Sequence, residues 1–134
     1  YTAAKYYSPS RSEGTLQCYF QHRHHNDPYI YVGDQDITAH VNFTALQHYG
    51  ENAGLETVGF TQQGLFLMAL GLGDRLAQLT QTEATDIQDL QNRLQQREAL
   101  HQLMNPMGLG GFGVLVQGKQ LTRKETELKG LIQG

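Results

Sequence analysis

Asp36-Ile37-Thr38-Ala39-His40-Val41-Asn42-Phe43 joins an extended segment to the start of a helix, the turning point of an α/β chain. Asp36 and Thr38 lie two apart, so an extended segment puts both on one face. Ile37 and Val41 are β-formers. Phe43-Thr44 then leads into a helix whose start is marked by Thr44 with Gln47 three residues later, the capping-box spacing. Polar groups at a junction between an extended segment and a helix are a common place for α/β proteins to keep a binding site. Asp36 and Thr38 also admit a purely structural reading, as an Asx-type turn or a cap for the helix. Both readings stand at this stage.

Upstream, Tyr6, Tyr7, Pro9 and Gly14 surround a polar run that reads as a loop or a single helical turn. Thr15 to Phe20 alternates, with Leu16, Cys18 and Phe20 on one side and Gln17 and Tyr19 on the other, which predicts a strand. Gln21 to Asp34 reads as a polar loop containing His22, His24, His25 and the turn pair Asp27-Pro28. Downstream, a helix is expected from about Thr44 to Ala53, with Leu46, Tyr49 and Ala53 on one face and Gly54 as its stop. Leu55 to Thr61 is a second short strand. Gln63 to Leu72 is apolar almost all round and reads as a buried helix ended by Gly71 or Gly73.

From Asp74 to Met104 the composition shifts to Gln, Arg and Leu, giving a long helical segment broken near Thr80, where Thr80-x-x-Glu83 has capping spacing. Ile87, Leu90 and Leu94 form one stripe, while Leu100, Leu103 and Met104 fall on roughly the opposite side. The helix therefore bends or touches neighbours on two sides. Asn105-Pro106 closes it. Phe112 to Val116 is a third strand, and the tail from Gln117 reads as polar and loose. The order strand, helix, strand, helices, strand is that of half an α/β sheet.

The chain has 134 residues, enough for one domain with a real core. Charged residues are only 17%, net charge is −3, and no basic block is present, which argues against a nucleic-acid partner. Cys18 is the single cysteine, so neither a disulfide framework nor a thiolate metal cluster is available, and a reducing, cytoplasmic home is expected. No apolar run is long enough for a membrane span. The chain opens at Tyr1 without methionine and reads as a fragment of a longer protein.

Among chemical candidates, Gly108-Leu109-Gly110-Gly111-Phe112-Gly113 matches G-x-G-x-x-G, yet a helix precedes it and a strand follows. A phosphate cradle needs the reverse, so the run reads as a flexible connection. His22, His24, His25 and Asp27, with His40 further on, could supply imidazole and carboxylate ligands to zinc. Their spacing fits no closed structural site, and a polar loop often collects histidines, so no metal is expected. Cys18 faces the apolar side of its strand without a neighbouring base and reads as inert core. His22, just past the first strand, lies near the sheet edge where ligands bind. Gln63 either serves a ligand or satisfies backbone groups at a helix start.

Gly14 through His22, Gly33 through Phe43, Gly59 with Gln63 through Leu67 and Gly71, and Leu103 through Gly108 resemble, in that order, the carboxyl part of the MidA-type S-adenosylmethionine-dependent methyltransferases. The family includes a mitochondrial assembly factor that methylates an arginine of a respiratory complex I subunit. The resemblance covers most of residues 6–116; Asn42 departs from it, standing where the family usually has aspartate. It implies a seven-stranded Rossmann-like sheet of which this chain holds about three strands, the fifth to seventh, with a helical insertion at about 63–104 before the last. The 134 residues would then be a single-domain C-terminal fragment of a bacterial cytoplasmic methyltransferase, inactive alone. S-adenosylmethionine would be bound mainly upstream of Tyr1. The implied substrate is a protein arginine, with Asp36 orienting the guanidinium and His22, Thr38 and Gln63 lining the same cleft. A competing expectation is a non-enzymatic module whose helical segment docks a partner or forms a homodimer.

Overall fold

Residues 1–122 and 128–131 are described by the computed structural model. The chain falls into two units, Tyr1–Tyr49 and Gly50–Gly134. No helix among the described residues is long and apolar enough to cross a membrane.

In the first unit, Gln17–Phe20 (β1) is the middle strand of a three-stranded antiparallel sheet, flanked by Arg23–His25 (β2) and Asp36–Thr38 (β3). The stretch Gln21–Asp34, expected as loop throughout, thus contributes a strand. The reason is a two-residue hairpin: Phe20 pairs with Arg23, and Gln21 and His22 have φ of 47° and 64°. Left-handed φ at both central positions is what a type I′ turn requires, and that turn matches the twist of the flanking strands. Pairing through the turn, and not intrinsic preference, makes Arg23-His24-His25 a strand.

The register sorts the side chains. Cys18 stands opposite Ile37 on one side and His25 on the other, and Cys18 is fully buried. Tyr19 stands opposite Asp36 and His24, on the other face. The alternation expected for Thr15 to Phe20 is therefore present. A short helix α1 (Ala3–Tyr6) and a 3₁₀ turn (Pro9–Arg11) precede the sheet. Tyr1 donates to the Val41 carbonyl at 2.8 Å and accepts from the Phe43 amide at 2.9 Å. This is the bonding pattern of a parallel ladder.

Helix α2 (Phe43–Asn52) starts one residue earlier than expected and is capped differently. Asn42 Oδ1 accepts from the Ala45 amide at 3.1 Å, the bond of an N-cap residue to the third helical position. Thr44, the expected cap, instead accepts from the Ala3 amide at 3.0 Å. The expected apolar face of α2 is open among the described residues: Leu46 and Tyr49 are exposed.

In the second unit, Glu56–Gln62 (β4) and Gly113–Gly118 (β5) form an antiparallel pair from Glu56 opposite Gly118 to Gln62 opposite Gly113. Thr57 and Gly59 oppose consecutive residues Gln117 and Val116, so Val58 is the extra residue of a β-bulge. Three helices lie between the strands: α3 (Gln63–Ala69), α4 (Leu72–Gln81) and α5 (Ile87–Met104). Gly71, with φ of 104°, separates α3 from α4. Among the described residues there are five strands in two antiparallel sheets, against the three strands expected.

The start of α3, the end of α5 and the following 3₁₀ turn (Leu109–Gly111) converge. Gly64 is buried, and a Cβ there would lie 2.9 Å from the Met104 carbonyl oxygen and 3.3 Å from that of Gly110. Gly110 is also buried, hard against the Met104 carbonyl. The glycine run is therefore a packed helix-to-strand turn, and its glycines serve close backbone approach instead of flexibility. Lys129–Leu131 forms a last 3₁₀ turn with Gly130 buried against the Phe66 ring. Of the tail expected to be loose, β5 holds Gln117 and Gly118, and residues 123–127 and 132–134 lie outside the described residues.

The helix break falls at 82–86, not at Thr80, whose hydroxyl donates back to the Ala77 carbonyl within α4. Asp86 is the cap, accepting from the Asp89 amide at 2.7 Å, while Asp89 accepts from the Thr85 amide at 3.1 Å. This is a variant of the capping box in which the returning carboxylate takes the amide one residue before the cap. Arg93 then ties the two helices, bonding Asp89 at 3.0 Å and both the carbonyl and hydroxyl of Thr82 at 2.7 Å. The Thr85 amide first, and the Arg93 side chain second, hold the Asp89 carboxyl below its ordinary range. On α5, Leu100, Leu103 and Met104 are half-buried, whereas Ile87, Leu90 and Leu94 are exposed.

Candidate functional site

β1, β2 and β3 lay a polar row across one face of the first unit's sheet. Tyr19 is at its centre, with Asp36 beside it on β3 and His24 beside it on β2. Directly opposed residues of an antiparallel pair have Cβ atoms about 5 Å apart, so Tyr19 is within reach of both neighbours. The Tyr19 and His24 ring centroids are 6.3 Å apart with planes inclined by 53°. Asp36 is exposed, and its carboxylate takes no hydrogen bond or ion pair among the described residues. Gln17 and Thr38 form the next row on the same face. The Thr38 hydroxyl reaches the Gln17 carbonyl at 3.4 Å, at the long limit of a hydrogen bond.

A concavity of about 500 Å³ opens beside the hairpin, lined by Phe20, Arg23, His24, His25 and Tyr31 among others. Phe20 and Tyr31 stack in parallel with centroids 4.0 Å apart. The loop carrying Tyr31 is pinned by two side chains. Asp27 Oδ1 accepts from the Tyr29 amide at 2.9 Å, and Gln35 Nε2 donates to the carbonyls of Pro28 at 3.2 Å and Ile30 at 2.7 Å. His25 Nδ1 accepts from the Asp27 amide at 3.2 Å. That bond puts the proton of a neutral ring on Nε2, which is buried without a partner among the described residues.

Of the residues singled out from sequence, Asp36 and Thr38 share a face, as their spacing requires. His22 occupies the hairpin turn at left-handed φ and is exposed. Gln63 belongs to the second unit. Its amide N–H donates to the Phe112 carbonyl at 2.8 Å and its Nε2 to the Leu109 carbonyl at 3.0 Å, so it holds the turn that leads into β5. His24 and His25, as neighbours on one strand, point to opposite faces and cannot chelate together. No group of three metal-binding side chains occurs among the described residues.

Just before α2, the His40 amide donates to the Thr15 hydroxyl at 3.0 Å. The His40 ring stacks on Tyr1 with centroids 4.5 Å apart. Arg11 lies over the same Tyr1 ring, 4.7 Å from its centroid. Tyr19 and His24 are the members of the polar row that sequence reasoning did not place in a site. The alternation of β1 put Tyr19 opposite to Cys18, but only the hairpin register reveals that it meets Asp36 and His24.

Residues 1–61 match the family model described as "Putative S-adenosyl-L-methionine-dependent methyltransferase". The chain is 38% identical over 66 residues to the mitochondrial protein arginine methyltransferase NDUFAF7 homolog of Drosophila melanogaster, which covers 48% of this chain and 15% of that protein. It also superposes on a Burkholderia thailandensis protein crystallised with S-adenosyl-homocysteine, with a TM-score of 0.73 and 37% identity over 89% of this chain and 30% of the other. A native crystal structure of an uncharacterized protein from the same organism gives a TM-score of 0.70 and 38% identity, over 86% and 29%. The chain thus spans less than a third of the length of the proteins it matches.

Proposed function

We propose that this chain, which belongs to the MidA-type family of S-adenosylmethionine-dependent methyltransferases, forms the substrate side of an enzyme that methylates a protein arginine. The Drosophila relative's activity and the S-adenosyl-homocysteine held by the Burkholderia protein support the reaction class and the cofactor. A subunit of a respiratory complex I-type assembly is the substrate class the family resemblance suggests.

The glycine run Gly108–Gly113 does not fit a cofactor cradle. The run Gly108–Gly113 follows α5 and enters β5, with Gly110 packed on Met104 and Gly111 on Pro106, leaving no open amide nest at a helix start. We therefore assign the methyl donor's site outside these residues and derive only what this chain does for the acceptor. Guanidinium keeps its charge at any working pH and offers five N–H donors in a flat fork. Holding it takes an unengaged carboxylate, and Asp36 supplies one; that is the observation on which the reading rests. Thr38, on the same face, adds a hydroxyl, and His22 lies in the turn beside the row. Gln63 we assign to the Leu109–Phe112 turn, since its Nε2 is already engaged there.

The test is methyl transfer by the full gene product carrying this chain, with methyl-labelled S-adenosylmethionine and analysis of the hydrolysed protein acceptor. Label is expected in methylarginine. Asp36→Asn should lower the rate about a hundredfold or more by loss of positioning, with S-adenosyl-homocysteine affinity unchanged. Label on another amino acid, or an unimpaired Asp36→Asn enzyme, would contradict the assignment.

One observation favours a second reading, an interaction surface. Ile87, Leu90 and Leu94 recur at helical spacing on α5 and are 76%, 48% and 54% exposed. Sedimentation of wild type and Leu90→Glu separates a dimer from a monomer.

A further inference from the structure

We propose that Tyr19 and His24 complete, together with Asp36, a seat for the flat guanidinium group of an arginine side chain. The inference rests on the functional reading above and deepens it, naming two residues the substrate would touch.

The geometry is that of a three-place row. β3, β1 and β2 are adjacent, so Asp36 and His24 stand two strand spacings apart, on the order of 10 Å. They are too far apart to bond each other, and no ion pair joins them among the described residues. Tyr19 lies between, 46% exposed, so its ring is open to a ligand. A guanidinium laid over that ring gains the attraction of a cation for the π face. Its edge toward β3 meets the Asp36 carboxylate, which can take two parallel N–H donors. Its opposite edge faces His24, an imidazole that can offer one acceptor nitrogen.

Each place selects for arginine. The carboxylate excludes anions. The ring favours a planar, weakly hydrated cation over a compact ammonium. An acceptor on the far edge rewards a broad planar fork whose donors reach across the row; lysine has three donors, but they radiate from one compact nitrogen. Competition from within the row is absent: Arg23 and His25 alternate to the other face of β2, and the unit's Arg11 lies over Tyr1.

The seat is tested by titrating the full gene product with N-acetyl-arginine methylamide and its lysine counterpart, following Tyr and His resonances by NMR. Saturable shifts of Tyr19 and His24 are expected, with the lysine compound at least about fivefold weaker. Tyr19→Phe should bind within about twofold of wild type, because the ring supplies the attraction and the hydroxyl does not. Tyr19→Leu, which keeps an apolar strand residue but has no π face, should weaken binding about fivefold, and His24→Ala by about three- to tenfold. Unchanged arginine binding in both Tyr19→Leu and His24→Ala overturns the seat, as does equal affinity for the lysine compound. If the wild type produces methylarginine yet these variants bind arginine normally, only the seat fails. If arginine binds here but no methylarginine forms, the seat holds and the methyltransferase reading fails.

Discussion

Gly64 sets two opposing effects of comparable size against each other, and the structure decides which wins. Alanine inside a helix is favoured over glycine by about 0.8–1 kcal/mol, and Gly64 lies in the first turn of α3. The added Cβ, however, would sit 2.9 Å from the Met104 carbonyl oxygen and 3.3 Å from that of Gly110. Ordinary contact begins near 3.4 Å, and both obstacles are backbone, so α5 and the Leu109–Gly111 turn must move by several tenths of an ångström. Overpacking of that kind costs about 1–3 kcal/mol; set against the propensity gain, the middle of that range leaves Gly64→Ala about 1 kcal/mol less stable. Gly73, in the first turn of α4, is the internal control. A Cβ there meets only Met68 Cε at 3.3 Å, the far end of a flexible side chain. Gly73→Ala should therefore keep its propensity gain and stabilise by about 0.5–1 kcal/mol. In urea unfolding the two variants should separate by about 1 M in midpoint, given a slope of about 2 kcal/mol/M. Equal or raised stability of Gly64→Ala would refute the close approach of α3, α5 and the turn.

Asp89 has a folded-state carboxyl pKa below its ordinary 3.8, so its contribution is present above that value and lost as pH falls through the lower folded one. The urea midpoints of wild type and Asp89→Ala should differ at neutral pH and converge on acidification; a constant difference would contradict the bonds from Thr85 and Arg93. Asp86→Ala removes the N-cap of α5 and should cost about 1 kcal/mol, seen as loss of helical ellipticity at lower urea. Replacing Gln21-His22 by Asn-Gly places turn-favouring residues at two left-handed positions and should stabilise by about 1 kcal/mol or more. If methyl transfer nevertheless falls in that variant, the His22 side chain acts on substrate.

Local pattern located most elements of this chain. β1, β4 and β5 coincide with the three strands expected, and α2 to α5 lie close to their periodic segments. Of the two glycines expected to end the helix from Gln63, Gly71 follows its end, with α3 closing at Ala69, while Gly73 lies inside α4. What escaped was decided elsewhere in the chain. Arg23-His24-His25 has no strand preference of its own and pairs because the preceding two residues accept left-handed backbone. At the break between α4 and α5 the expected cap, Thr80 with Glu83, does not form. Asp86 caps α5 instead, and Arg93 supports that break by bonding both Asp89 and the end of α4. The site was half legible: spacing placed Asp36 and Thr38 on one face, whereas Tyr19 and His24 join Asp36 only through the register of three strands. His22, adjacent in sequence to β1, was the more visible histidine for that reason.

The chain's single thiol gives the first unit an unusual kinetic handle. Cys18 is wholly inaccessible in the centre strand, between the positions of Ile37 and His25. A thiol reagent can modify it only after β1 parts from its neighbours, so the labelling rate is the opening equilibrium multiplied by the reagent's intrinsic rate. Because no second cysteine competes, that rate is a stopwatch for the sheet bearing Tyr19, His24 and Asp36. A ligand seated across the three strands would slow it, turning a buried sulfur into a sensor of occupancy on the opposite face.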